Sequence, residues 1–378
     1  MSRSVPSPPP RPRRNASLRS DFRFPAEWER HEATWVAWPH NRTDWPGKFA
    51  PIPWVYGEIV RHLVKAEEVR ILVNSVEHER SARAILQRVG AESRQVKFFH
   101  IRTNRGWTRD FGPLFLRREP GCELCIAGFR FNGWAKYPDC NLDAAVAREL
   151  ARRLRYEFLP VKVGRRDFVI EGGSIDVNGC GTVLTTEECL LDPQVQTRNP
   201  GLSRGDIERV LADYLGATNV CWLGRGIVGD DTHGHVDDLC RFVDPRTMVL
   251  CREVDPHDPN YRPLEENWER VQDLRLEDGS RPKVVALPMP RPLYLDGQRL
   301  PASYANFYVA NAAVLVPTFN DPNDRLALGV LSDLMTDRLI VGIHAVDLVW
   351  GLGTLHCLTQ QQPAASDRPQ SPARMRRQ

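Results

Sequence analysis

The sequence predicts an α/β fold assembled from repeated hairpin–helix–strand units, and three observations lead there. Apolar, β-rich runs alternate with amphipathic stretches; the alternation returns about five times, at spacings of roughly 50–80 residues; and no linker-like segment interrupts residues 22–362. Stacked units bury faces that no single unit can bury alone, so a closed or propeller-like arrangement accounts for both the repetition and the missing linker. A two-domain open α/β sheet is the alternative. The P-loop signature that often accompanies such sheets is absent.

Taken in order, Val69–Asn74 reads as a strand between helical patterns at 54–67 and 77–89, and Val96–Ile101 as another strand. Pro113–Leu116 and Leu124–Phe129 form a hairpin across Glu119-Pro-Gly121, followed by a helix over 142–154 whose apolar residues recur three and four apart. Ser174–Val177 and Thr182–Thr185 form a second hairpin around Asn178-Gly179, a pair suited to left-handed turn geometry. Ser203 is placed to cap the next helix at its start and Gly216 at its end. Cys240–Val243, Met248–Arg252 and a helix near 262–275 make another unit. Tyr308–Phe319, Asp324–Leu334 and Arg338–Ile343 make the last.

Charge is unevenly spread. The 378 residues carry a formal +3, but residues 1–20 hold five Arg and no acid, and residues 363–378 hold four Arg and one Asp. The remainder is therefore acidic, at −5. The expected organisation is a disordered Pro/Arg-rich leader at 1–21, one domain at 22–362 and a disordered basic tail at 363–378. There is no apolar run long enough for a membrane span and no signal-like stretch at the start. Nine irregularly spaced Cys argue against a disulfide framework and for a reducing, cytoplasmic setting. Cys122-x-x-Cys125 falls in a hairpin rather than at a helix start and is read as chance.

Four clusters are rich in groups that do chemistry. Trp107-Thr-Arg-Asp110-Phe-Gly-Pro113 lies at a strand end, where a scaffold can hold site residues; a plain turn is the bland reading. In Phe168-Val-Ile-Glu171-Gly-Gly173 a carboxylate ends an apolar strand, where burial is expected to raise its pKa, and the glycines permit close approach. Gly229-Asp-Asp-Thr-His233-Gly-His235-Val-Asp237-Asp238 is the densest polar stretch. Read as a metal site, His233, His235 and Asp237 are the first ligands, with His257, His344 or His356 completing them. Read as a strand, it places His235 and Asp237 on one face, as a general acid/base beside a carboxylate. In Trp350-Gly-Leu-Gly-Thr-Leu-His-Cys357, Cys357 is either a nucleophile or a small buried hydrophobe. In an extended segment His356 would point away from Cys357, leaving the base to come from elsewhere.

In order, these clusters resemble the agmatine deiminase family, which includes the bacterial peptidylarginine deiminases. His31-Glu-Ala-Thr-Trp-Val-Ala-Trp38-Pro, Phe131-Asn-Gly-Trp134, Leu184–Leu190, Asn199-Pro and Ser303–Asn311 strengthen the likeness, which covers nearly everything between the tails. The resemblance implies a five-bladed α/β propeller, the pentein fold, with no metal and no organic cofactor. It implies Cys357 as nucleophile, His235 as general acid/base and Glu171 as a second proton-handling carboxylate, with Asp110 and Asp237 gripping a guanidinium and Trp107 beside them. The activity implied is deimination of a small guanidine, agmatine first. Arginine or peptidylarginine deimination or amidino transfer is the alternative, and a metal-dependent hydrolase using His233, His235 and Asp237 is another.

Bidentate acceptors suit a planar, permanently charged guanidinium, which independently supports those roles. So many carboxylates also predict a Cys357 held as the thiol. His233 and Asp238 stand where the family pattern has Asn-type residues, and the last loop reads Gly-Leu-Gly, which places the far end of the substrate in question. The expected partner is a small cationic guanidine, with no nucleic acid and no membrane; association with a second copy stays open.

Overall fold

The computed structural model describes residues 22–119 and 123–365. The leader at 1–21, most of the tail, and the Pro120–Cys122 part of the first hairpin turn, including the Cys122 half of Cys122-x-x-Cys125, lie outside the described residues. The architecture is mixed α/β, with five sheets of three or four strands and two short two-stranded ribbons. Each sheet pairs one strand antiparallel to the next and then adds a parallel strand reached through a helix. In the third, Cys240–Asp244 runs antiparallel to Thr247–Arg252, which runs parallel to Lys283–Pro288 after the helix Tyr261–Val271. Parallel neighbours require such a crossover, which explains the order seen in the sequence.

The strands that form the middle of these sheets are apolar on both sides; Val314, Leu315 and Val316, like Val249, Leu250 and Cys251, are fully buried. Helices pack their apolar stripes on the sheets, as Ile52–Leu63 does through Ile52, Tyr56, Ile59, Val60 and Leu63. The Ser203 cap is present as a full capping box, and Gly216 ends that helix with φ 70°.

Several expectations change. The second hairpin turns through three residues rather than two: Asn178 N–H donates to Thr182 O (3.2 Å), enclosing Gly179 (φ 72°) and Gly181 (φ 118°). Gly172–Ser174 is a 3-10 turn and not the start of that strand. A further strand, Gln360–Pro363, pairs antiparallel with His31–Ala37, and Ala364 N–H donates to Arg30 O. This last described strand ends at Pro363, one residue beyond 362, and lies in one sheet with the early strand His31–Ala37. Among the described residues no helix is long and apolar enough to cross a membrane.

One regularity positions the site. Just before the first hairpin strand of each sheet the chain carries a polar residue: Asp110 before Leu114–Arg118, Glu171 before Asp176–Val177, Asp237 before Cys240–Asp244, Asn306 before Tyr308–Val309, and Cys357 before Gln360–Pro363. Contacts among these segments, given below, show that they converge.

Candidate active site

Asp110 sits on the four-residue helix Thr108–Phe111, which is tied down on both sides. Thr108 Oγ1 accepts from Ala37 N–H (2.8 Å), and Arg109 N–H donates to Cys357 O (3.1 Å). Asp110 is buried, not a surface turn; Trp134 Nε1 donates to its Oδ2 (2.9 Å) and Gly173 N–H to its Oδ1 (3.2 Å). Burial, with Asp237 and Glu171 nearby, outweighs His235 and the Trp134 hydrogen bond and raises its pKa to about 7. Gly173 has no room for a side chain, since a Cβ there would lie 2.6 Å from His235 Nδ1 and 2.9 Å from Asp110 Oδ1.

Glu171 is fully buried, but the expected upward shift does not occur. Burial pushes its pKa up, yet Arg198 and His235 overcome this and bring it down to about 2. Arg198 Nε donates to both carboxylate oxygens (3.1 and 3.3 Å), and its other nitrogens donate to Gln196 O and Thr232 O. Glu171 is thus a permanent anion at neutral pH, on one side of His235.

His235 is not on a strand. It precedes the 3-10 turn Val236–Asp238, and Asp230 Oδ2 anchors its backbone N–H (3.0 Å). Its buried ring has Nδ1 3.8 Å from Asp110 Oδ1 and 3.9 Å from Asp237 Oδ1, and Nε2 3.5 Å from Glu171 Oε2. Burial opposes its charge, but Asp110, Cys189 and Glu171 together raise its pKa well above the usual histidine range. Surrounded in this way, it rests as an imidazolium and can give up a proton.

Cys357 lies in a turn, not an extended segment, and the residue is 5% exposed. Asn306 Nδ2 donates to Sγ (3.1 Å) and to Asp238 Oδ1 (2.9 Å), while Asn306 Oδ1 accepts from Thr354 Oγ1 (2.7 Å) and His356 N–H (3.0 Å). Sγ stands 3.9 Å from Asp237 Oδ2. Burial, then Asp237, Asp238 and Asp110, push the thiol well above its ordinary value, as the carboxylate count predicts. Burial and Asp237 likewise push the Asp238 carboxyl well above the usual carboxylate range.

A cavity of about 250 Å³ opens onto Cys357 and Asp110. Trp107 forms one wall, packed on Trp45 with ring centroids 5.2 Å apart, and Asp44, Arg105, Tyr137 and Asp231 line the outer part. Glu171, His235 and Asp237 stand behind this wall, fully buried.

The metal reading fails on placement. His233 adopts φ 66°, and its ring turns to Asp192 Oδ2 (2.9 Å) and Glu188 (3.8 Å). Among the described residues the groups close enough to share an ion are Glu171, Cys189 and His235, and Asp237, Asp238 and Cys357. Neither group contains His233, His257, His344 or His356, so the set His233/His235/Asp237 is not assembled.

Arg198, Asn306, Trp134, Glu27 and Cys189 carry no chemical signal of their own in the sequence, and His356 enters there only as a possible further metal ligand. Asn306 was the findable one, because it fills the equivalent position in the fourth unit, where no site residue had been assigned.

A buried thiol opening on a cavity with three carboxylates and one guanidinium in its wall defines a class, a thiol enzyme arranged for a cationic ligand. Comparison with known proteins makes the family specific. The model of the Porphyromonas-type peptidyl-arginine deiminase family matches residues 23–363, and the chain belongs to that family. It is 34% identical over 369 residues to the agmatine deiminase of Pseudomonas aeruginosa (strain LESB58), covering 91% of this chain and 96% of that one. It is 36% identical to the agmatine deiminase of Medicago truncatula, again over 91% and 96%. The structure of the Enterococcus faecalis agmatine deiminase superposes with TM-score 0.83 at 31% identity, over 92% of this chain and 97% of that one.

Proposed function

We propose that this protein is a hydrolase of linear amidine C–N bonds, converting agmatine and water to N-carbamoylputrescine and ammonia. The observation that carries this is Cys357 Sγ opening on the same cavity as Asp110, with His235 and two more carboxylates directly behind. The named activities of the relatives agree with it.

The guanidinium enters over Trp107 and is held by Asp110, with Asp237 as the second acceptor. Arrival of a cation offsets the carboxylates that hold Cys357 as the thiol, so the thiol gives its proton to water in the cavity and stands as the thiolate. The sulfur adds to the guanidinium carbon, and His235 gives its proton to a departing terminal nitrogen, which leaves as ammonia. Water, deprotonated by the now neutral His235 with Glu171 fixing the ring, attacks the amidino-thioether carbon. Collapse expels the sulfur, which takes up the proton of the tetrahedral hydroxyl to return to the thiol, and leaves the ureido product. The test is ammonia and ureido release from agmatine and, separately, from arginine, with iodoacetamide or a chelator. Loss by chelator but not by alkylation defeats the mechanism; faster turnover of arginine replaces the substrate.

At the outer wall Asp44 speaks for an amine-tailed substrate. Arg105 pairs with its Oδ1, while the buried Oδ2 has no hydrogen-bond partner. Burial raises its pKa to about 6, while Arg105 and Trp107 favour the anion. Asp44→Asn is expected to raise KM for agmatine by about tenfold, the loss of one charged hydrogen bond, and to leave that of a neutral-tailed alkylguanidine unchanged.

Asp110 sets the pH response. Its raised pKa leaves it neutral below about 7, where it cannot pair with a guanidinium, so kcat/KM falls as pH drops through that value. Trp134→Phe removes a hydrogen bond that favours the anion and is expected to move this limb to higher pH. A limb that does not move removes Asp110 from binding.

The five sheets, one of which joins Gln360–Pro363 to His31–Ala37, support a five-bladed propeller spanning residues 22–362 as one domain. The irregular cysteines support a cytoplasmic setting.

A further inference from the structure

His356 adjoins the nucleophile in sequence, yet its ring turns away from the sulfur and bridges two carboxylates. Nδ1 is 2.6 Å from Asp237 Oδ2 and Nε2 is 2.7 Å from Glu27 Oε2, with all three side chains buried. Glu27 has no place for a proton. Its Oε1 accepts from Val309 N–H (2.7 Å) and pairs with Arg241 Nη2 (3.0 Å), and its Oε2 accepts from Arg109 Nη2 (3.1 Å) as well as from His356. Nε2 must therefore donate. At Nδ1 the proton lies between the ring and Asp237, which His356 and His235 hold below the usual carboxylate range despite its burial. An ionised Asp237 only accepts, so both ring nitrogens face acceptors, at 2.6 and 2.7 Å.

This arrangement is anchored by residues that do not line the substrate cavity. Arg241 is held by Asp176 (3.2 Å) and Phe307 O (2.8 Å). Arg109 donates to Gln361 (2.7 Å) and to His356 O (3.3 Å). Asp237 Oδ2, the oxygen that His356 grips, is also the one 3.9 Å from Cys357 Sγ, while Oδ1 is left without a hydrogen-bond partner, facing His235.

We propose that His356 is a positioning residue of the reaction: a buried imidazolium, locked by Glu27, that fixes the rotation of the Asp237 carboxylate and offsets its negative charge beside the Cys357 sulfur. Its catalytic effect rests on the guanidine-hydrolase reading, but the imidazolium and its effect on the thiol do not. The groups that face this unit are Glu27 and Asp237 on the ring, Arg109, Arg241 and Asp176 behind Glu27, and Asp110 and Asp238 around the sulfur. With the imidazolium in place Asp237 opposes the thiolate less, and its free oxygen stays aimed at the reaction centre.

The test compares wild type with His356→Gln and Glu27→Gln. For agmatine, His356→Gln is expected to lower kcat on the order of 10²-fold, the loss typical of a small misplacement, with KM changed less than about threefold. In free enzyme, alkylation of Cys357 by iodoacetamide, followed on the Cys357 peptide by mass spectrometry, should shift to higher pH in His356→Gln and less so in Glu27→Gln. A folded His356→Gln with unaltered kcat and an unmoved alkylation profile overturns the proposal. Should that variant not fold, nitrogen-15 signals of His356 in wild type decide: two protonated ring nitrogens at neutral pH support it, and a neutral tautomer overturns it. If wild type hydrolyses no guanidine, the functional reading fails, while the alkylation and nitrogen signals still judge His356.

Discussion

Cys357→Ala is expected to lower turnover of agmatine by at least about 10⁴-fold while leaving the guanidine bound, because removal of a nucleophile eliminates the covalent route and not the binding contacts. Among the described residues lining the cavity, Cys357 is the one thiol; the hydroxyls of Thr43 and Thr232 are tied to Asn41 Oδ1 (2.7 Å) and Asp230 Oδ1 (2.5 Å) beside them. The change deletes one atom from a site whose walls are held by other parts of the fold: Asp110 by Trp134 and Gly173, Asp237 by His356, and the outer rim by the Arg105–Asp44 pair. It also removes a group that loses its proton next to three carboxylates. Agmatine should therefore bind the variant at least as tightly as wild type. Steady-state ammonia release and calorimetric titration of the variant check the two halves separately. Residual turnover within about 100-fold of wild type would defeat the covalent mechanism, whereas lost binding would mean that the thiol itself grips the guanidinium.

Arg198→Met carries the largest expected cost in stability. Arg198 and Glu171 are both buried, with Arg198 Nε shared between the two carboxylate oxygens, and removal of one member of such a pair strands the other charge. A loss of about 3–5 kcal/mol is expected, read from the midpoint of denaturant unfolding. The pH dependence should change sign. In wild type the folded pKa of Glu171 is depressed to about 2 from 4.5, so its contribution to stability is present above 4.5 and is lost as pH falls toward 2. Without Arg198, burial dominates and the folded pKa rises, so the variant is least impaired in acid, where Glu171 is neutral, and loses stability as pH rises. The double variant Glu171→Gln/Arg198→Met should recover much of the loss, since no charge is then left buried. A single variant as stable as wild type at neutral pH would show that Glu171 finds another partner.

Much of this molecule was legible beforehand, for physical reasons. Hydrophobic periodicity marked the strands and helices because each unit must bury one face, and the turns at Ser203 and Gly216 follow from capping chemistry that acts over a few residues. The clusters around Asp110, Glu171, His235, Asp237 and Cys357 stood out because several reactive groups lay together in short stretches. What local pattern could not show is partnership across distance. Arg198 is an unremarkable basic residue in the chain, and only folding sets it on Glu171, reversing the shift that burial alone predicts. His233 and His235 look alike in the sequence, and a left-handed backbone at His233 sends its ring to Asp192 instead. Gln360–Pro363 has no strand-like composition and becomes a strand because His31–Ala37 offers it an edge.

The sequence by itself determined the α/β class, the repeat, the family likeness and the reactive residue types, all of which depend on short-range order or on which groups are present. Only the tertiary structure decided which polar groups face one another: Arg198 on Glu171, Asn306 on Cys357, and Glu27 with Asp237 across His356. Protonation in a buried site is set by burial and by neighbours within a few ångströms, and those neighbours come from segments up to 329 positions apart in the chain.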